Sequence, residues 1–485
     1  MREDVVQTGT TGTDTVTEVT PARRSSLLGY PAMIAAAAGV IALVLLRGET
    51  LAGPIRAGDV APMATAPASP DVLLHVLLAL LVIIVAARAC GAICRRLHQP
   101  PVVGEVIAGI LLGPSLLGRV SPSALAFLLP SSIAPFLSII AQIGVILFMF
   151  LVGLQLDTRQ LRHRAHATVG ISHASILLPF VLGCALALWL YPMHATSGTR
   201  FTVFALFIGI SLSVTAFPVL ARILTDRKLQ GTPMGIVALT CAAVDDVTAW
   251  CLLAAVIAVA KSDPASAIRT VLLTAGYLAL MLLVVRPAVL RFVQRTAEGT
   301  TLASQGTMAA VIVALVTSAL ATEAAGVHAI FGAFLLGAII PHDSVLARDL
   351  THKLEDFVVV LFLPAFFAFT GMRTQVGLMG SAWEWLVCGV IIVVASIGKF
   401  GGSYVAARLA GFDRHDATSL GILMNTRGLM ELIVLNIGLD LGILSPTLFT
   451  MLVLMAIVTT LATTPVLDRV TRSRSRRDTM QLAAQ

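Results

Sequence analysis

Two adjacent acids, Asp245 and Asp246, lie inside an apolar stretch that runs from Gly231 to Ala260. A helix of that length crosses a bilayer core of about 30 Å. Its apolar flanks, Ile236 to Thr240 and Ala249 to Leu253, place both carboxylates near mid-membrane. An ionised side chain at that depth costs about 3 kcal/mol or more, so such a pair marks a functional site by default. Neighbours on a helix point about 100° apart, so one acid can face a cavity while the other faces a packed helix. The same carboxylate oxygens can bind a proton or ligate a hard monovalent cation. A group that holds one or the other, never both, is the minimal apparatus for coupled exchange. The competing reading is a buried structural pair neutralised by a neighbour.

Other polar residues fall at similar depth. Lys399 stands mid-span in Ile397-Gly398-Lys399-Phe400-Gly401-Gly402. A lysine near a helix end would snorkel to the interface, but one at mid-span needs a carboxylate partner, and the two aspartates are the candidates. The run Ser211-Leu212-Ser213-Val214-Thr215-Ala216-Phe217-Pro218 carries a proline that removes a backbone donor and disfavours helix at Phe217. Its hydroxyls can satisfy the freed groups, so this span is expected to unwind at its middle and present backbone to an ion. A plain proline kink is the alternative. In Asn425-Thr426-Arg427-Gly428-Leu429-Met430-Glu431 the Asn and Gly suggest a second break, and Arg427 and Glu431, four apart, can pair along one helix face. These two are read as structural or gating residues. Glu105, near the start of the segment 101–118, is an entrance residue or a helix-end charge. His75, His328 and Arg88 are read as packing, capping or interfacial residues.

The elements that must hold these groups follow from composition. The chain of 485 residues is 57% hydrophobic and 12% charged, against about 25% charged residues in soluble domains, which makes it an all-α polytopic membrane protein. Apolar segments fall at 26–47, 72–94, 101–118, 132–153, 167–191, 200–224, 231–260, 267–290, 303–322, 327–341, 354–373, 383–409, 417–438 and 445–468. Residues 1–25 are polar, Thr-rich and expected to be disordered. Segment 26–47, behind Arg23-Arg24, is an extra N-terminal transmembrane helix or a signal segment, with retention favoured. From Arg469 to Gln485 the chain is a basic tail. If the N-terminus lies inside and the spans alternate, Lys and Arg favour the inner loops by roughly three to one. Arg95, Arg96, Arg222, Arg227, Lys228, Arg291 and Arg414 are among those inside. Both termini are then cytoplasmic, and the basic balance is loop charge with no call for nucleic acid.

Ile107-Ala108-Gly109-Ile110-Leu111-Leu112-Gly113 resembles Phe331-Gly332-Ala333-Phe334-Leu335-Leu336-Gly337. Aligning the two pairs the spans of 72–260 with those of 303–468 in opposite orientation and leaves 267–290 as a connector. Inverted repeats of this kind build secondary transporters, with the site near midplane. The six cysteines lie in apolar segments without a CxxC pair or a His/Cys cluster, so neither a disulfide framework nor a metal site is expected. No cofactor is called for, and no nucleophile–base set or phosphate loop points to an enzyme.

In these stretches the chain resembles the monovalent cation:proton antiporter superfamily, and most of all its second branch, with the plant cation/H⁺ exchangers and bacterial relatives. The matching runs are Gln99 to Glu105 with Gly113-Pro114, Phe150 to Leu154, Ser213 to Arg222, Ala243 to Val247, Gly398 to Phe400 and Asn425 to Asn436, in family order over 72–468. The resemblance implies thirteen family helices in two inverted six-helix repeats, a core domain with two crossed broken helices (200–224 and 417–438), and a dimerisation domain that makes a homodimer in the cell membrane. It implies that Asp246 carries the ion and the proton, that Asp245 pairs with Lys399, and that Thr215 lines the site. An aspartate at 245 leans toward electrogenic exchange. No nucleotide-binding regulatory domain follows the transport unit, so gated potassium efflux is not expected. The expected activity is exchange of Na⁺ or K⁺ for protons by alternating access. A proton-coupled exporter of a small organic molecule is the alternative, disfavoured by an aromatic content of only 6%. A non-transporting sensor or scaffold has no output domain to relay its signal.

Overall fold

A computed structural model describes residues 25–51, 72–155, 165–229, 232–260, 264–297, 305–326 and 328–483. The polar terminus expected over 1–25 lies outside the described residues, apart from Ser25. Almost every apolar segment is helical. The first helices are α1 (Ser25–Gly48), α2 (Val72–Arg96), α3 (Pro101–Leu112), α4 (Leu117–Val120), α5 (Pro122–Leu128), α6 (Ala134–Leu154) and α7 (Ala165–His194). Next come α8 (Phe201–Ser213), α9 (Phe217–Asp226), α10 (Pro233–Ala260), α11 (Pro264–Leu280), α12 (Arg286–Ala297) and α13 (Gln305–Ala324). The last are α14 (Ala329–Ile339), α15 (Val345–Phe357), α16 (Leu363–Arg373), α17 (Ala382–Leu409), α18 (Arg414–Met424), α19 (Leu429–Asp440) and α20 (Pro446–Ala483). β pairing among the described residues is confined to an isolated bridge between Ala195 and Leu444.

Eleven helices among the described residues are long and apolar enough to cross a bilayer, or twelve if the bent pair α18 and α19 is one span. The expected segment 327–341 is a shorter apolar helix, Ala329–Ile339, below the ~20 residues of a full crossing, whereas α1 runs for 24 residues. The basic tail from Arg469 continues α20 as far as Ala483. Two π-helical turns, Met281–Val285 and Val358–Phe362, precede Pro287 and Pro364. Each proline lacks a donor and its ring crowds the carbonyl four residues back, which slips the ladder by one residue.

The helices pack as two groups. In one, α7 lies against α8, α10 and α17, and α20 covers α17, α18 and α19. In the other, α3 packs on α2 and α16, while α6 packs on α14 and α16. Without a hydrophobic force between helices in lipid, close contact relies on small residues. Gly109 faces Gly371 between α3 and α16, where a Cβ on Gly371 would come 2.6 Å from the Ile110 nitrogen. Gly153 faces Gly337 between α6 and α14, where a Cβ on Gly337 would come 3.0 Å from the Gly153 Cα. Backbone closes these contacts on both sides, so neither can yield. Replacing Gly337 by Val should destabilise the purified protein by about 1–3 kcal/mol, read as a lower melting temperature in detergent; an unchanged melting temperature would place the contact elsewhere.

Candidate functional site

Two helices are interrupted at mid-depth, and their interruptions meet. The first gap is Val214 to Ala216, where Val214 is extended at φ −70°, ψ 135° and Ala216 at φ −94°, ψ 96°. The sequence expected this span to unwind at its middle, with Pro218 disfavouring helix at Phe217. Instead Pro218 falls in the first turn of α9, where a missing N–H costs nothing, and Phe217 is already helical. The second gap runs from Asn425 to Gly428, with a bend of 40° between α18 and α19. The Ala216 N–H donates to the Thr426 carbonyl at 3.1 Å, and the Thr215 hydroxyl lies 3.3 Å from the Met424 carbonyl. A Cβ on Gly428 would lie 2.6 Å from Val219 Cγ2 and 3.2 Å from the Ala216 Cβ, so the crossing requires glycine there. The remaining polar groups of this segment are less committed. The Asn425 amide reaches Ser396 Oγ at 3.5 Å, and the Thr426 hydroxyl has no partner.

Asp245 and Asp246 stand on α10 beside this crossing, 0% and 2% exposed. Lys399, on α17 and fully buried, places Nζ 3.0 Å from Asp245 Oδ2. Three hydroxyls donate to the same carboxylate. Ser172 reaches Oδ1 at 2.6 Å, Ser175 reaches Oδ2 at 2.8 Å, and Thr215 reaches Oδ2 at 2.8 Å. α7 brings both serines in because α17 lies flat upon it: a Cβ on Gly398 would come 2.7 Å from the Pro179 Cα, and one on Gly402 would overlap the Ala174 carbonyl. Asp246 is different. Neither of its oxygens has a hydrogen-bond partner, and the Phe217 N–H faces it without reaching bonding geometry. That N–H belongs to the first turn of α9, whose positive end favours an anion or its bound counter-ion.

Arg427 and Glu431 take up a separate task. The Arg427 guanidinium donates to the carbonyls of Ser211 at 3.0 Å and Leu212 at 2.7 Å, and to Glu431 Oε2 at 3.1 Å. It therefore caps the C-terminal end of α8, which would otherwise leave unpaired carbonyls in a dry interior. Its own backbone is tied down by Thr460, whose hydroxyl accepts from the Arg427 N–H at 3.0 Å and donates to its carbonyl at 2.8 Å. Ser213 spends its hydroxyl on the Gly209 carbonyl at 2.7 Å, within α8. Glu105 is buried on α3 in the other helix group, with Arg88 and Arg95 as charged neighbours, and no hydrogen bond joins it to the aspartates. His75 packs edge-on to Phe127 at 5.7 Å, and His328 precedes α14 without a side-chain cap.

The structure thus gathers Asp245, Lys399 and Thr215 by direct bonds, sets Asp246 next to them, and leaves Glu105 apart. Sequence reasoning missed Ser172, Ser175 and Thr460. The spacing Ser172 to Ser175, three apart on one helix face, was the available signal.

A family model described as sodium/hydrogen exchanger, transmembrane, matches residues 76–470. The Na(+)/H(+) antiporter NhaS4 of Synechocystis sp. is 45% identical over 402 residues, covering 82% of this chain and 98% of that relative. Cation/H(+) antiporter 20 of Arabidopsis thaliana is 38% identical over 394 residues, covering 79% of this chain and 47% of the plant protein. K(+)/H(+) antiporter 1 of Saccharomyces cerevisiae is 34% identical over 388 residues, 77% of this chain and 43% of the yeast protein. The chain therefore spans about half the length of the plant and yeast relatives. Among solved structures, the sodium proton antiporter MjNhaP1 from Methanocaldococcus jannaschii shares the fold at a TM-score of 0.60 and 13% identity, covering 82% of this chain and 96% of that one. The match over nearly the whole helical region, together with a buried acid pair beside crossed helix breaks, makes this chain a member of the sodium/hydrogen exchanger family, a multi-span cation/proton antiporter and not an enzyme.

Proposed function

We propose that Asp246 is the group that binds the transported monovalent cation and the proton by turns, and that Asp245 is the fixed charge beside it. The observation that carries this reading is the asymmetry of the pair. Asp245 has a buried ammonium and three hydroxyls committed to it, whereas both oxygens of Asp246 are unpartnered. A carboxylate already surrounded by donors has little to gain from a metal ion, while an unsatisfied one gains most. The Thr426 hydroxyl and the Asn425 carbonyl oxygen, also unpartnered, are further oxygens near the crossing that an alkali cation can use. Na⁺ and K⁺ are the candidates named by the relatives.

Asp246 is 2% exposed, so exchange requires the site-bearing helices to move against the other group and open it to each side in turn. The division into two helix groups supports that motion, with a homodimer formed through the group holding α2, α3, α6, α14 and α16. Matched contacts support the inverted repeat. Gly113, just after α3, and Gly337 of α14 align in sequence; α3 packs on α16 as α14 packs on α6. The interrupted pairs α8–α9 and α18–α19 are counterparts in the same scheme. With basic residues inward, both termini face the cytoplasm of a cell-membrane protein. The organic-molecule exporter gains no support from the comparisons.

In everted vesicles, Asp246→Asn should abolish the dequenching of a ΔpH dye on adding Na⁺ or K⁺, and preserved exchange would refute the assignment. Ser172→Ala with Ser175→Ala removes two donors from Asp245. It should lower the exchange rate about tenfold or more and shift its pH profile, with Thr at both positions restoring part of the activity; an unaltered profile would reduce the serines to packing. Arg427→Gln leaves Glu431 and two α8 carbonyls unpaired in a dry core. It should cost about 3–5 kcal/mol, measured as lost folded protein by fluorescence-detected size exclusion. Adding Glu431→Gln should recover part of the yield.

A further inference from the structure

The helix α1 precedes the region matched by the family model, which begins at residue 76. It does not stand apart from the rest. It packs along α7 and the start of α8, and its last residue, Gly48, is so close to Phe201 that a Cβ would overlap the ring. Glu49 accepts a hydrogen bond from Thr202, in the first turn of α8, where an acid suits the helix dipole.

Between α1 and α7 the packing leaves a cleft of about 550 Å³, lined by Leu43, Leu46, Arg47, Thr50, Leu51 and Leu188. Four of its six lining residues are leucines, and Leu43 and Leu46 are 62% and 76% exposed, so the cleft opens toward the hydrocarbon. Its depth is fixed by tryptophans. Trp189, next to Leu188, packs edge-on to Trp383 at 5.9 Å, and Trp383 and Trp385 are both half-exposed at the start of α17. Exposed tryptophans gather at the headgroup level, so the mouth of the cleft lies at the bilayer interface with its leucines below. Arg47 is at that mouth. Its guanidinium makes no hydrogen bond or ion pair among the described residues, and the neighbouring acid, Glu49, is turned away to Thr202. An unpaired guanidinium over an apolar slot, at the level of lipid phosphates, complements one ligand in charge and shape.

We propose that this cleft is a binding site for an anionic phospholipid, with the headgroup phosphate on Arg47 and one acyl chain along Leu43, Leu46 and Leu188. Because α7 carries Ser172 and Ser175, a lipid held there ties α1 to the helix group that bears Asp245 and Asp246. The site is independent of the ion-binding reading and stands whether or not Asp246 is the carrier.

Native mass spectrometry of the full chain, with phosphatidylglycerol or phosphatidylcholine added to the detergent-solubilised protein, tests it. The wild type should retain one phosphatidylglycerol molecule about tenfold more tightly than Arg47→Gln does. Leu188→Trp, which fills the cleft and leaves the charge, should lose that adduct as well. Phosphatidylglycerol should also raise the melting temperature of the wild type and not of either variant. Retention equal in all three proteins would overturn the site, and equal retention of both lipids by the wild type would overturn recognition of the anionic headgroup. A wild type that retains no phosphatidylglycerol, while Leu188→Trp still lowers its melting temperature, would assign the cleft to residues 52–71 of this chain and overturn the proposal.

Discussion

The architecture depends on one constraint: in hydrocarbon a polar group finds no water, so each must find a partner within the protein. Two helices broken at mid-depth create many such groups at once, since each gap exposes carbonyls at one end and N–H groups at the other. The molecule answers by crossing the gaps. The Ala216 N–H is satisfied by the Thr426 carbonyl, and the Arg427 guanidinium fills the open end of α8. A cation from the second break thus completes the first. Neither interrupted helix is stable at depth without the other, which explains why these spans are among the most deeply covered, with Ser211, Thr215, Arg427 and Glu431 almost fully buried.

The same requirement shapes the surroundings. To bring Ser172, Ser175 and Lys399 onto one carboxylate, α7 and α17 must approach until backbone touches side chain, and Gly398 and Gly402 make that distance possible on either side of Lys399. The other helix group uses glycine for a different end. Gly109 with Gly371 and Gly153 with Gly337 make firm seams in the group that does not carry Asp245, Asp246 and Lys399. Small residues thus position the buried charges Asp245 and Lys399 in one half of the molecule and stiffen the other, as the proposed motion of one half against the other requires.

Much of this was legible in the chain. Charges inside apolar spans are few, so Asp245, Asp246, Lys399, Arg427 and Glu431 announced themselves, and proline or glycine beside hydroxyl residues marked both breaks. What was not legible depends on rotation and register. Ser172 and Ser175 are ordinary small residues in an apolar helix until α10 is placed against them. Arg427 read as a partner for Glu431 because that contact is local, whereas its bonds to Ser211 and Leu212 cross 216 and 215 residues of sequence. Phe217 is helical because a proline is harmless in the first turn of a helix, so Pro218 marks where a half-helix starts more sharply than where the previous one stops.

The unequal treatment of the two acids follows from where α10 puts them. With about 100° between neighbours, Asp245 turns toward α7 and α17, where donors crowd, and Asp246 turns toward the first turn of α9. Moving a donor from one to the other would require rotating α10 or unpacking α17 from α7, and both motions would strip Lys399 of its counter-charge. On the proposed assignment, the occupant of 246 can change without disturbing Lys399, because the lysine is held locally by Asp245 and does not depend on that occupant. If Asp246 is the carrier, as proposed, a single acid in this place would have had to serve both Lys399 and the transported ion. Two successive acids separate those duties with no more than one residue of helix.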